Sequence, residues 1–338
     1  MQKTIRLLAL LLAAQLVMAV AVGWFDRGLS SPADAAPLIA VGGDRIDRIT
    51  IEGPDDAKAV LAKAEGQWRI ANAGDFPADG KRVEQLLERL EGLRGATPVA
   101  TSASARIRFK VDEREFERRI LLATGDETVA TLYLGTSPGL RRIHARVDGE
   151  EAIHSVELAA YDVPPGASDW EDKALLAFAQ SEVRSLEVAG LRISKADAVA
   201  RPDGSRPDES SDGGAKQAQA PEAGWVATGL DADERLAAEA VDKLVQRVAD
   251  LRFVSVRGRE ARPEYGMEDP VLTMTLTRAG GEPLTYRLGK APDADDYTLQ
   301  VSNRAEFFNL GSGTARSLVE AAAREALVES PHEAAEDG

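Results

Sequence analysis

Three rhythms of apolar and polar positions run along the chain. In the first, Leu7 to Phe25 carry no charge for nineteen residues, and Gln15 is the one strongly polar side chain. A helix over that stretch would be about 28 Å long, close to the roughly 30 Å hydrocarbon core of a bilayer. Lys3 and Arg6 precede it, and Trp24 and Phe25 end it. The pattern predicts a membrane-crossing anchor with its N-terminus in the cytoplasm and the remainder outside. A second reading stays open, because Ala33-Asp34-Ala35 before Ala36 has the small-x-small form of a signal-peptide cleavage site. Both readings export everything that follows.

The second rhythm is strict alternation. Ile46-Asp47-Arg48-Ile49-Thr50-Ile51-Glu52 and, much later, Val183-Arg184-Ser185-Leu186-Glu187-Val188 predict half-buried strands. The third is helical. Val83, Leu86, Leu87, Leu90 and Leu93 predict a helix over Gly80–Arg94, and Leu236, Val241, Leu244, Val245 and Val248 predict one over Ala232–Leu251. Each helix follows a tryptophan, in Gln67-Trp68-Arg69-Ile70 and in Gly224-Trp225-Val226. Further on, Phe109-Lys110-Val111-Asp112 answers Tyr265-Gly266-Met267-Glu268, and Leu134-Gly135 answers Leu288-Gly289. The offset between halves is 156 residues at the aromatic and 154 at the glycine.

Landmarks in one order at one offset indicate an internal repeat. The predicted fold class is α+β: two tandem repeats, each a mainly antiparallel sheet with a covering helix, built as hairpin, helix and meander. A tryptophan in a strand just before the covering helix reads as a core plug rather than a binding platform.

Composition marks the boundaries. Lys195–Ala223 is rich in Asp, Ser, Gly, Pro, Gln and Ala with almost no large apolar residue, so it is expected to stay disordered. It is placed between the first hairpin strand of the second repeat and Trp225. Ser168-Asp169-Trp170-Glu171-Asp172-Lys173 reads as the capped start of a short helix through Leu176, with Ser168 or Asp169 as N-cap. The resulting division is 1–26 cytoplasmic tip and anchor (or signal peptide), 27–44 linker, 45–166 first repeat and 167–180 connecting helix. Then come 181–328 second repeat, with the insert at 195–223, and 329–338 acidic tail.

Charge and chemistry narrow the function. The formal charge of −15 sets the soluble body against nucleic acid and anionic headgroups. Cysteine is absent, which removes thiol nucleophiles and cysteine metal sites. The three histidines are His144, His154 and His332. The first two flank Asp148-Gly149 and are read as surface or edge residues on paired strands; a two-residue loop would point them to opposite faces, and only a three-residue loop would set them side by side. Two histidines leave a zinc site short of ligands. Gly311-Ser312-Gly313-Thr314 follows the strand Phe307–Leu310 and precedes a helix near Thr314–Leu327. That geometry can hold an anion; the plainer reading is a turn capped by Ser312 or Thr314. Asp231-Ala232-Asp233-Glu234 reads as a capping box. Asp293-Ala294-Asp295-Asp296 begins like a calcium loop, but Thr298 and Arg304 stand where its glycine and glutamate belong. No catalytic, cofactor-binding or metal-binding residue is assigned, and no cofactor is expected.

The order of these features resembles the bacterial family called domain of unknown function 4340. The resemblance is carried by Asp47-Arg48-Ile49-Thr50-Ile51, Gln67-Trp68-Arg69-Ile70, Phe76-Pro77-Ala78-Asp79, Trp170-Glu171-Asp172-Lys173 and Tyr265-Gly266-Met267-Glu268-Asp269-Pro270. The acidic insert and the turn at Phe109, which lacks the glycine and proline of the second copy, depart from it. The resemblance implies no established activity, and an accessory role beside gliding-motility-type ABC transporter components. The expectation is therefore a non-enzymatic, single-pass protein of the cytoplasmic membrane facing the periplasm or exterior, with the membrane and an envelope transporter complex as partners. The alternatives are an envelope polymer- or ligand-binding module, with a groove between the repeats as the place for it, and an unrecognised hydrolase. An intact mass that retains residues 1–35 is the expected outcome for the anchor; an N-terminus at Ala36 would establish cleavage.

Overall fold

The computed structural model describes Gln15 and residues 36–40, 42–95, 97–196, 224–292 and 295–329. The anchor at 1–26, the insert from 197 to 223, Asp293, and 330–338 with His332 lie outside the described residues, Gln15 excepted. Among the described residues no helix is long and apolar enough to cross a membrane. The chain is α+β, with two large antiparallel sheets and few helices. It divides between Asp172 and Lys173 into two compact units.

The first unit holds β1 (Arg48–Glu52), β2 (Lys58–Ala64), β3 (Gln67–Ile70), β4 (Phe76–Pro77), α1 (Gly80–Glu91) and α2 (Ala103–Arg108). Then come β5 (Arg118–Thr124), β6 (Glu127–Leu134), β7 (Ile143–Val147) and β8 (His154–Val156). The sheet order is β4-β3-β2-β1-β5-β6-β7-β8. Two four-stranded meanders thus meet along β1 and β5, with Ile49 opposite Leu122 and Ile51 opposite Ile120. The sequence predicted a hairpin of the opening strand and the Trp68 strand; β2, which lies between them, and β4 are additional. Helix α1 starts where Asp79 accepts a hydrogen bond from Arg82 N. It buries Val83, Leu86, Leu87 and Leu90, each worth about 2 kcal/mol. The linker is partly built into the unit. Leu38 and Ile39 are buried, and Pro37 bridges Arg94.

The second unit holds β9 (Val183–Val188), β10 (Leu191–Lys195), β11 (Trp225–Thr228), β12 (Arg235–Leu236), α3 (Ala238–Ala249), β13 (Ser255–Gly258) and β14 (Leu272–Arg278). It continues with β15 (Leu284–Lys290), β16 (Tyr297–Val301), β17 (Phe307–Leu310), α4 (Ser312–Ala322), α5 (Arg324–Leu327) and β18 (Val328–Glu329). The order β11-β10-β9-β14-β15-β16-β17-β13 repeats that of the first unit from β3 to β8. The registers correspond residue for residue. Leu134 faces Ala145 as Leu288 faces Leu299, and Ala145 faces His154 as Leu299 faces Phe308. The insert leaves from β10 rather than from the first hairpin strand. Lys195 belongs to that strand, and Ala196 N still bonds Gly224 O at 3.0 Å.

Each unit is closed at the start of its covering helix by its own last residues. Asp79 N donates to Trp170 O at 2.8 Å, and Ala237 N to Leu327 O at 2.9 Å. Beside them Ala78 bridges Glu171, and β12 pairs with β18. This corrects the connecting helix at 167–180. The chain makes a 3-10 turn over Ala167–Trp170 capped by Gly166 and then extends. Buried Trp170, whose Nε1 donates to Pro164 O at 2.9 Å, and the bridge to Ala78 outweigh local helix preference. The helix predicted from Ala232 begins at Ala238, because Glu234 is drawn into a turn held by Arg324.

The Leu-Gly landmark has one cause in both units. A Cβ on Gly135 would lie 1.9 Å from Phe109 O, and one on Gly289 would lie 2.3 Å from Tyr265 O. The aromatic turn rests directly on the glycine backbone. The residue after each aromatic is left-handed, Lys110 at φ 54° and Gly266 at φ 63°. Gly135→Ala and Gly289→Ala are each expected to cost about 3 kcal/mol in urea unfolding. Gly125→Ala, left-handed but with open space around it, should cost about 1 kcal/mol.

Candidate functional site

A buried polar cluster lies on the first sheet, on the face that also carries Arg119. Neighbouring strands β5, β6 and β7 align Arg119, Tyr133 and Arg146 across the sheet. Two residues back on β7, His144 shares that face. The 109–116 turn covers the row. Phe109 stacks on the His144 ring with centroids 4.1 Å apart, and Phe116 lies 6.0 Å from Tyr133.

Arg146 is 1% exposed. Its Nε donates to Val111 O at 2.8 Å and its Nη1 to Glu150 O at 3.1 Å. The guanidinium lies 4.6 Å from the Tyr133 ring centre. Its Nη2 has no hydrogen-bond partner and faces the exposed Glu113 carboxylate at 4.0 Å. Burial, with the charges of Asp148 and Glu113, raises the Tyr133 pKa, so its phenol stays neutral. His144 Nδ1 and Thr136 Oγ1 hydrogen-bond at 3.0 Å. Burial, with the charge of Arg108, holds the imidazole below its ordinary value despite a hydrogen bond with the Thr136 backbone. A hydroxyl beside a neutral imidazole is the first half of a nucleophile–base pair, but the Phe109 ring lies over it. The cluster fastens the 103–116 segment onto the sheet through backbone carbonyls.

The sequence reading placed both histidines at the surface or on an edge; both are buried, and His154 lies on the edge strand β8. Their opposite facing holds, since His144 pairs with Ser155 and His154 with Ala145. They are buried because the 109–116 turn covers one, and because the Gly95 backbone approaches the ring of the other. Trp68 is 4% exposed, as a core plug should be. Trp225 is half-buried, with Nε1 bonded to Asp242 Oδ1 at 2.8 Å. Each pairs across the strands with a lysine, Lys63 and Lys195, within 5.8 and 5.3 Å of its ring.

Helix α4 is capped by Gly311 without a side-chain bond, so neither Ser312 nor Thr314 serves. Asp296 lies 3.8 Å from Arg257, whose Nη1 donates to buried Thr298 Oγ1 at 2.6 Å. No group of three metal-ligating side chains occurs among the described residues. Arg324 grips Glu234 and also donates to Gly229 O at 2.9 Å. The hydrogen bond from Arg324 lowers the Glu234 pKa. An open depression of about 460 Å³ lies on the second sheet, lined by Glu187, Arg192, Thr228, Thr273 and Thr275.

Sequence reasoning missed the Arg146 cluster. Arg146 alternates with His144 on one strand, the available signal, but its depth depends on the distant turn. Arg146→Ala is expected to cost about 3 kcal/mol. His144 predicts a pH effect of definite sign. The unfolded chain binds its proton near the ordinary 6.5 and the folded protein binds it lower. Its contribution is full above the unfolded value and is lost as pH falls through the folded one. In urea titrations from about pH 8 to about pH 5, His144→Thr, the residue at the matching place in the second unit, should flatten the decline.

No curated protein and no solved structure matches the chain. One family model does, described as a domain of unknown function, over residues 68–270. The match begins at the first core tryptophan, spans the join between the units and ends just past the Tyr265 turn. It covers more than half of the sequence, and the chain belongs to the domain of unknown function 4340 family.

Proposed function

We propose that the chain is a membrane-tethered extracytoplasmic scaffold, one α+β unit written twice behind an N-terminal anchor, and an accessory subunit of an ABC-type or gliding-motility-type envelope complex. The observation that carries this reading is how the buried polar side chains are employed. Arg146 bonds to Val111 and Glu150, Trp170 to Pro164, and Arg257 to Thr298. They brace the sheets and leave the sheet faces and edges as the surfaces available to a partner. The uncharged run from Leu7 to Phe25 supports the tether.

A second reading, a ligand-binding module, is favoured by the depression on the second sheet. Its volume lies in the range of small-molecule sites. Its threonine hydroxyls and the Arg192–Glu187 ion pair at 2.8 Å suit a polyhydroxylated envelope polymer.

Mild detergent extraction of the tagged full chain tests the first reading. Transporter subunits should co-purify in fixed ratio; their consistent absence would remove it. Retention on isolated envelope polysaccharide, lost in Thr275→Val with Thr273→Val, would instead establish the second.

A further inference from the structure

Leu140 is 93% exposed, far beyond the other exposed apolar side chains, which begin at Tyr161 with 66%. A single exposed leucine is ordinary on a slack loop, but this loop is braced. Ser137 Oγ lies 2.8 Å from Gly139 O and 2.6 Å from Arg142 O, and Gly139 bridges Arg142. Arg142 is fastened by Nε to Ser155 Oγ at 3.0 Å. Arg141, at φ 56°, sets the apex. It is exposed, and its side chain makes no hydrogen bond or ion pair among the described residues. The loop holds an apolar side chain and a cation side by side in solvent.

Its place in the unit says what they meet. Arg141 lines a depression with Gly92, at the C-terminal end of α1. The next residues hold the incoming chain, with Leu38 N bonded to Leu93 O at 2.9 Å and Gly95 N to Ala36 O at 3.1 Å. Ten residues separate Phe25 from Ala36, eleven steps with a reach of at most about 40 Å. The leucine therefore stands at the end of the unit by which the chain arrives from its uncharged run.

We propose that residues 136–142 form a membrane-contact tip: Leu140 enters the headgroup region of the bilayer from which the chain emerges, and Arg141 meets lipid phosphate. This rests on the tethered reading above. Burying one leucine is worth about tenfold to a hundredfold in partition, and one arginine near an anionic surface about fivefold. Neither recruits a body of charge −15 from solution. A tether supplies an effective concentration on the order of millimolar, which makes such weak contacts sufficient to orient the unit. Glu157 and Asp162 line the same depression, Asp162 held by Arg89. The surface is mixed in charge, so the contact depends on the leucine more than on salt.

The chain has no cysteine, so Leu140→Cys and, on exposed β6, Val129→Cys each take one environment-sensitive fluorophore in the full-length protein. Both are reconstituted into phosphatidylcholine–phosphatidylglycerol vesicles. The expected result is that both proteins float with the vesicles. Only the label at 140 shifts to the blue, escapes iodide and is quenched by a lipid-borne nitroxide. A floating protein whose label at 140 is as open to iodide as the label at 129 overturns the tip and leaves the tether standing. A protein that does not float overturns both. Shielding at 140 in native membranes but not in lipid-only vesicles assigns Leu140 to a protein partner and also overturns the tip.

Discussion

The structure depends on a backbone contact that occurs once in each unit. An aromatic residue followed by a left-handed turn lays its carbonyl on the glycine just past β6 in the first unit and on the glycine near the end of β15 in the second. Phe109 O and Tyr265 O stand where any Cβ at Gly135 or Gly289 would have to be. In the first unit Thr136 N then donates to Phe109 O at 2.9 Å, which ties the turn to the strand it crosses. That approach brings the segment after the covering helix back over the sheet. It seats Phe109 on His144 and places the Val111 carbonyl where Arg146 can reach it.

From this shared frame the units diverge in what they bury. Thr298, bonded by Arg257, takes the place of His144. After the last common strand the second unit runs into α4, whose Ala315, Leu318 and Ala322 are buried. The first unit meets Pro164-Pro165-Gly166 and makes 3-10 turns instead, since proline interrupts a helical ladder. Both routes deliver a large apolar residue, Trp170 or Leu327, to one position beneath the covering helix. The constraint is on that endpoint, and the path to it varies.

The entry of the chain is part of this economy. Leu38 and Ile39 are buried, and their strand-like run is fastened to the end of α1. A pull on the residues before Ala36 would be carried directly into the helix that covers the first core. The braced loop bearing Leu140 stands beside that entry.

Much of the fold was legible along the chain. Alternation located β1 and β9, and helical spacing located α1 and α3 because one face of each must be apolar wherever it packs. The repeat was legible because equal frames impose equal landmarks. The strands β2 and β4 on either side of the Trp68 strand were missed, β4 because it is two residues long, and the helix at 167–180 was wrongly expected because Trp170 is held by partners far away in sequence. The same reason hides the candidate site. Nothing local distinguishes Arg146 from an exposed arginine, and its burial is set by a turn that reaches it only after the chain has folded. The sequence by itself determined the uncharged run, the element types and the duplication, since these follow from periodicity and composition. The tertiary structure decided the register, the closing residues, the depth of both histidines and the bracing of Leu140. Those depend on which distant backbones meet, and a glycine records such a meeting without naming its partner.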